Sequence, residues 1–415
     1  MHPDAAYVVF LPTKKYLRGE KVPNMLDEQS KRFAREHRHD DVRRLLLLAS
    51  QHPGIDMPAV ATQVEGWHTA VSKIPSWAAN DDIVWPPRVN MEQCSSEQTA
   101  RYKSALAEGN TLADLTGGLG VDCAFMSERF ESITYVEQDE QLFAISSANF
   151  GFLGLRNIHA VCGDGTAVLQ SLPMQDWIYL DPARRSGTGR KVVALGDCAP
   201  DVTTLEEELL RHARQVMIKC SPMLDIHRAC EQLHSVQEIH VIALGGECKE
   251  LLLILGQKPK NPDEIDIFCI NLPSREAFSF TRKEETEASC IYTPTVGQYL
   301  YEPHAALLKA GCFKLPASRY GLMKLHPNTH LYTSDTHCAE FPGRKFRVAG
   351  IGKMSKNMRK SLLQGLTQAN VTTRNFPASV DSLRKQLHLA DGGSDYLFAT
   401  TTSNGSHLLI RCKKI

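Results

Sequence analysis

The chain has 415 residues, 42% hydrophobic and 23% charged, an ordinary globular composition whose length gives roughly two to four domains. Its longest apolar runs, such as residues 251–255, are too short to span a bilayer, and no charged start with a long apolar core marks a secretory signal, so a cytoplasmic protein without membrane contact is expected. The 47 basic and 47 acidic residues cancel, but residues 340–415 hold 13 Lys and Arg against 4 Asp and Glu, a +9 excess that suits a polyanionic partner.

Residues 1–26 read as irregular, and residues 27–73 as helices. The run 45–48 and the spacing Val60, Val64, Trp67, Val71 fit a 3.6-residue period, and Asp56 can cap a helix with Pro58 in its first turn. Residues 75–87, with Trp77, Trp85 and paired prolines, read as an ordered connector. The twelve cysteines form no Cys-x-x-Cys pair, which predicts reduced, mostly buried thiols and no zinc site.

Strand candidates follow at 111–115, 132–136, 158–162, 176–180, 215–219, 238–244 and 250–255. Each of the first five is followed by a loop and a helical stretch, the pattern of a parallel sheet covered on both faces. Gly245-Gly246-Glu247-Cys248 between the last two predicts a hairpin. Five such units ending in a hairpin give an α/β fold with the class I, Rossmann-like, methyltransferase sheet; a plain dinucleotide-binding sheet lacks that ending. After a polar link at 257–262, strands near 264–271, 289–292 and 329–333 and a helix near 303–311 suggest a small α+β module. Residues 341–415 read as strand 345–351, helix 355–368, strand 370–375, helix 379–389 and a hairpin, 395–402 and 406–412, around the two-residue turn Asn404-Gly405. The expected domains are thus 1–90, 91–257, 258–340 and 341–415.

Asp114-Leu115-Thr116-Gly117-Gly118-Leu119-Gly120 ends a strand, turns on glycines and opens a helix. Glycines let backbone approach a ligand closely. Asp114 suits the cationic amino-acid end of S-adenosylmethionine and would repel a pyrophosphate, and Gly117, Gly118 and Gly120 do not make the dinucleotide spacing. Glu137 at the second strand's end can accept from ribose hydroxyls, with Asp139 the nearby alternative, and Asp164 after the third can accept from the adenine amino group. Asp181-Pro182-Ala183-Arg184-Arg185 occupies the fourth strand's end. There Asp181 can meet the methionine end or the substrate, and Arg184 and Arg185 can hold a phosphate. Lys219 ends the fifth strand and can face the same crevice. No metal is required or indicated.

Several of these motifs, with Glu92-Gln93-Cys94-Ser95-Ser96-Glu97, Ser221-Pro222-Met223-Leu224-Asp225, Glu247-Cys248-Lys249-Glu250 and Leu331-Tyr332-Thr333-Ser334-Asp335 before Phe341-Pro342-Gly343, resemble one family. It is the bacterial class I methyltransferases with a THUMP-like C-terminal domain, described as PG_1098-like. The resemblance covers about residues 27–415 and implies an N-terminal helical region, the methyltransferase domain, a ferredoxin-like module and a THUMP-like end. Residues 1–26 depart from it, since similar proteins begin near Met25. By analogy with other THUMP proteins, it implies RNA as partner.

The residues add their own support for RNA. Arg344, Lys345, Arg347, Lys353, Lys356, Arg359 and Lys360 lie in one stretch without an acid. Lys356, Arg359 and Lys360 share a helical face, and a glycine turn holds Lys353, an arrangement able to clamp a phosphate backbone. Phe376, Tyr396 and Phe398 can stack on bases or be buried. The expected reaction is methyl transfer to RNA, with Asp181, Pro182, Arg184 and Lys219 at the reacting end. Amino-methylating enzymes of this fold carry an aromatic after the fourth strand that Ala183-Arg184 does not supply. Carbon-5 methylation needs a cysteine, for which Cys220 and Cys248 are candidates, although buried structural thiols fit them better. A protein or small-molecule acceptor, or a non-catalytic RNA-binding protein on the same fold, are the alternatives.

Overall fold

Short acidic side chains start the N-terminal helices. Asp27, Asp41 and Asp56 accept first-turn N–H groups at the heads of α1 (Glu28–Glu36), α2 (Val42–Leu47) and α3 (Met57–Lys73), and Pro58 stands in the first turn of α3. Phe33, Leu45, Met57, Val60 and Val64 form their core. The apolar run 45–48 is one-sided: Leu45 is buried, while Leu46 and Leu47 are 45% and 79% exposed, and Val71 is 46% exposed. The computed structural model describes residues 22–184, 194–353 and 361–415. Three short helices lead into the first strand: α4 (Pro75–Ala78), α5 (Arg88–Gln93) and α6 (Glu97–Leu106).

All seven expected strands form: β1 (Gly109–Asp114), β2 (Phe130–Glu137), β3 (Ile158–Cys162), β4 (Gln175–Leu180), β7 (Ala213–Cys220), β8 (Val236–Leu244) and β9 (Glu247–Leu255). Between β4 and β7 a two-stranded ribbon pairs β5 (Ala183–Arg184) with β6 (Cys198–Ala199). With β10 (Asp266–Leu272) and β11 (Glu276–Thr281), the large sheet has nine strands in the order β11-β10-β8-β9-β7-β4-β1-β2-β3. β1 lies between β2 and β4, and β1 to β4 and β7 pair in parallel. Their intervening helices are α7 (Val121–Met126), α8 (Glu140–Phe152), α9 (Gly165–Leu169) and α10 (Val202–His212), with α11 (Ile226–Gln232) leading to β8. Gly245 and Gly246, at φ 65° and 85°, make the tight turn from β8 to β9, a conformation that favours glycine at both positions.

Packing divides the chain into two compact units, residues 1–237 with 252–259 and residues 238–251 with 260–415. In the second, β10 (Asp266–Leu272) runs parallel to β8 and pairs antiparallel with β11 (Glu276–Thr281). The strand expected near 264–271 therefore belongs to the large sheet and not to a small separate module. Its Ile267 and Cys269 and the Phe278 and Phe280 of β11 are buried there. No strand forms near 289–292, where Tyr292 makes only an isolated bridge to Lys324.

The rest of this unit is a seven-stranded sheet in the order β13-β14-β12-β15-β18-β17-β16. Its strands are β12 (Tyr299–Pro303), β13 (Met323–His326), β14 (Thr329–Ser334), β15 (Gly343–Lys353), β16 (Asn370–Arg374), β17 (Asp395–Thr401) and β18 (His407–Lys414). Its helices are α12 (Arg282–Glu287), α13 (Ala305–Ala310), α14 (Leu315–Tyr320) and α15 (Val380–Leu387). Strand alternation feeds two cores. Phe346, Phe398 and Ile410 pack with Leu300, while Leu397 and Leu409 pack with Leu362 and Leu383. Phe398 is thereby core, Tyr396 packs against the first cluster and Phe376 against the second. The helix expected at 355–368 ends early: Ser361 and Leu362 are helical and the chain turns at Gly365, φ 74°, before β16. The last hairpin turns over three residues, not two. Thr402 N donates to Ser406 O, Gly405 takes φ 79°, and the Asn404 side chain accepts from Ser406 N.

Candidate cofactor and acceptor site

β1 delivers Asp114 into the interior, where it is 1% exposed and accepts from Thr116 N at 3.1 Å. The turn behind it is cut to fit its neighbours. A Cβ on Gly117 would come within 2.1 Å of the Tyr135 ring, and one on Gly120 within 2.4 Å of Phe150. Gly118 and Gly120 adopt φ 58° and 77°. Glu137, ending β2, accepts from Gly118 N and Asp139 N, both at 2.7 Å, so it is braced against the glycine turn. Tyr135 OH and Ser146 Oγ both donate to Gly118 O.

Asp164 and Asp139 each cap a helix. Asp164 Oδ1 accepts from Thr166 N, Thr166 Oγ1 and Ala167 N at the head of α9, and these bonds hold its carboxyl below the usual range. Asp139 Oδ1 accepts from Gln141 N and Leu142 N at the head of α8. β4 delivers Asp181, whose N–H donates to Thr116 Oγ1 at 2.6 Å, tying the ends of β1 and β4 together. Lys219 Nζ, from β7, stands 2.5 Å from Asp181 Oδ2; its side chain is 12% exposed against 37% for Asp181. Pro182 is half-buried beside this pair in sequence. The backbone of Arg184 pairs with Cys198 in the ribbon, and Arg185 lies outside the described residues.

Asp114, Glu137, Asp181 and Lys219 therefore converge at the carboxyl ends of β1, β2, β4 and β7, where open α/β sheets hold ligands. Burial pushes the Asp114 carboxyl well above its ordinary range. Thr116 N opposes this, and the charges of Asp122, Asp181 and Glu137 add to it. Such a desolvated acid among other acids calls for a cation, and glycines leave the backbone open beside it. These residues fit S-adenosylmethionine, whose amino-acid end carries an ammonium group. Neither cysteine considered as a nucleophile is poised as thiolate: burial pushes Cys220 far up and Cys248 up to about 11.

A four-residue network was not legible in the sequence. Asp122, in the first turn of α7, meets Ser95, Lys103 and Tyr179, all buried. Its signal was a lysine on the buried stripe of α6, with Thr99, Ala100 and Ser104.

In the C-terminal sheet the expected basic cluster is partly spent on its own acids. Arg344 and Arg374 both grip the buried Glu302, Arg344 through Nε at 2.7 Å and Arg374 through Nη2 at 2.7 Å. Lys345 Nζ lies 3.5 Å from Glu276. Arg347 and Lys353 are exposed, as is Lys414. Lys356, Arg359 and Lys360 lie outside the described residues. Among the described residues, no helix is long and apolar enough to cross a membrane.

Comparison with known proteins places these parts. A ferredoxin-like domain model matches residues 299–342 and a THUMP-domain-like model residues 343–414. The crystal structure of a proposed methyltransferase from Porphyromonas gingivalis is 36% identical, with a TM-score of 0.84 over 94% of this chain and 99% of that one. Two uncharacterized S-adenosylmethionine-dependent methyltransferases from Mycobacterium tuberculosis strains are each 24% identical over 305 residues, 72% of this chain and 79% of theirs. With its sheet order, its strand-end acids and its two C-terminal modules, the chain belongs to the PG_1098-like family and is an S-adenosylmethionine-dependent methyltransferase.

Proposed function

We propose that this enzyme methylates RNA, gripped by its THUMP-like module, in the cytoplasm. The observation that carries the reading is the THUMP-like match over 343–414, within residues 340–415 with their +9 excess, whose Arg347, Lys353 and Lys414 are exposed. Exposed cations of this kind neutralise phosphates without reading sequence. All twelve cysteines are free thiols, in keeping with a reducing compartment.

In this reading Asp114 pairs with the donor's ammonium group, Glu137 accepts from its ribose and Asp164 from its adenine. Thr116, Gly117, Gly118 and Gly120 shape the bed. The donor supplies an already activated methyl group, so the protein's work is positioning and electrostatics. Asp181 and Lys219, with Pro182, face the acceptor, and Arg184 and Arg185 are the residues assigned to its phosphate. Their 2.5 Å ion pair gives the reacting end an acceptor and a donor of hydrogen bonds side by side.

The test uses tritiated-methyl S-adenosylmethionine with the full chain and separated total RNA and total protein. Label in the RNA fraction that ribonuclease releases, and that Arg347→Glu/Lys353→Glu suppresses, is the expected result. Label confined to protein, or to small molecules, would overturn RNA as the acceptor.

A further inference from the structure

The segment Glu92-Gln93-Cys94-Ser95-Ser96-Glu97 and the helix after it have no place in the site as described so far. Two of their polar side chains converge on one buried carboxylate. Lys103 Nζ lies 3.2 Å from Asp122 Oδ1, and its side chain is 0% exposed. Ser95 Oγ and Tyr179 OH each donate to Asp122 Oδ2 at 2.7 Å, and Lys103 Nζ also donates to Ser95 Oγ. Burial alone would push the Asp122 carboxyl up, but the charges of Lys103 and Lys219 and the two hydroxyls hold it below its ordinary range. Asp122 is therefore held as a carboxylate, with two hydroxyls donating to Oδ2 and the Lys103 ammonium at ion-pair distance from Oδ1, which accepts no hydrogen bond among the described residues.

Its location gives the network a consequence. Asp122 follows Gly120 by two residues, so whatever fixes Asp122 fixes the end of the glycine turn. Tyr179 precedes Asp181 by two residues on β4, so the same bond fixes the strand that delivers Asp181. Lys219 feels both Asp122 and Asp181, and the charges alternate from Lys103 to Asp122 to Lys219 to Asp181. Stability alone gives little reason to bury such a pair, since matched neutral side chains commonly replace a buried ion pair without loss.

We propose that Lys103 and Asp122 form a buried positioning pair for the methyl-donor site, setting the glycine turn and, through Tyr179, the end of β4 that carries Asp181. Neither touches the donor; both act through residues that face it. The inference rests on the donor common to the relatives and not on RNA being the acceptor.

The experiment compares wild type, Lys103→Met and the neutral double variant Lys103→Met/Asp122→Asn by thermal unfolding and by titration calorimetry with S-adenosylmethionine. Lys103→Met alone strands a buried charge and lowers the Tm sharply. The double variant keeps the Ser95 and Tyr179 hydroxyls within reach of an amide oxygen and recovers the Tm. It is expected to bind the donor at least about tenfold more weakly, because an amide anchors the glycine turn and the end of β4 less firmly than the ion-paired carboxylate does. A double variant that recovers both Tm and affinity would show the pair to be structural only and would overturn the proposal. If the double variant does not fold, Tyr179→Phe decides. That variant removes one hydroxyl from Asp122; a loss of about threefold in affinity at unchanged fold supports the proposal, and unchanged affinity overturns it. Binding by the wild type, measured alongside, keeps a failure of the donor reading separate from a failure of this one.

Discussion

The donor site and the C-terminal sheet handle charge in opposite ways. At the strand ends, Asp114, Glu137 and Asp181 crowd together, and Asp114 is buried deeply enough that its own ionisation is opposed. In the C-terminal sheet a large formal excess of cations is partly consumed at home. Glu302 takes Arg344 and Arg374, Asp395 takes Arg411 and Lys413, and Asp391 takes Arg384. A site for a small cation concentrates unbalanced charge in the interior. A surface for a polyanion leaves a few cations outside and uses the others to hold strands together.

The sharpest way to break this comparison is Asp114→Asn. Losing one partner of a buried charge pair costs about 2–5 kcal/mol, so donor affinity should fall by about 30-fold or more in calorimetry. The free protein should respond in the opposite sense. The folded-state pKa of Asp114 is raised, so its stabilising contribution is complete below its unfolded value, about 3.9, and is lost as pH rises through the folded value. Asn cannot ionise, and the variant should show a higher Tm than wild type at pH 7 without donor. The same sign predicts wild-type donor affinity that increases with pH until Asp114 is ionised. A variant with lower Tm and unaltered affinity would place Asp114 among ordinary structural acids.

Glu302→Gln probes the other pattern. Glu302 is 3% exposed, whereas Arg344 and Arg374 are 39% and 34% exposed, so solvent compensates part of the loss. A destabilisation of about 2–3 kcal/mol is expected in urea unfolding, below the usual cost of breaking a fully buried pair. A loss within about 0.5 kcal/mol would show that the two arginines are not held by this acid and are available to a phosphate.

Strand ends were legible because each acid follows a short apolar run, and a run of five or so residues bounded by a turn marks where a parallel strand stops. The glycine turn was legible for a related reason: Gly117 and Gly120 answer to the rings of Tyr135 and Phe150 packed against them. The Lys103–Asp122 pair was hidden because nothing local distinguishes a lysine bound for the interior from one covering a helix face. Basicity of the last module was visible, but not its neutralisation, because Glu302 lies 42 residues before Arg344 and the strand pairing of β12 with β15 is what brings them together. The place of β10 in the large sheet and not in the small module was hidden for the same reason, since its partner β8 is set by tertiary register and not by sequence adjacency.

Arginine positions in β15 sharpen the contrast further. Arg347→Ala should lower the slope of log affinity for RNA against log salt by about 0.7–0.9 and leave stability unchanged, as expected for one lost phosphate contact. Arg344→Ala should do the reverse, weakening the fold by taking from Glu302 one of its two arginines while leaving the salt slope alone. Equal slopes for both variants would remove Arg347 from the RNA surface.

The smallest expected difference separates two aspartates of identical local role. Asp139 and Asp164 both cap a helix through Oδ1, and replacing either by Ala should cost about 1 kcal/mol of stability. Only Asp164 is assigned to the donor's adenine, so only Asp164→Ala should also weaken donor binding, by about 0.5–1.5 kcal/mol, or roughly twofold to tenfold. Stability-matched variants make the comparison clean, because any affinity change that comes from loosening a helix start would appear in both. If Asp139→Ala weakens the donor as much as Asp164→Ala does, the carboxylate after β3 is a cap and nothing more, and adenine specificity must come from backbone groups along the turn at Cys162–Gly163.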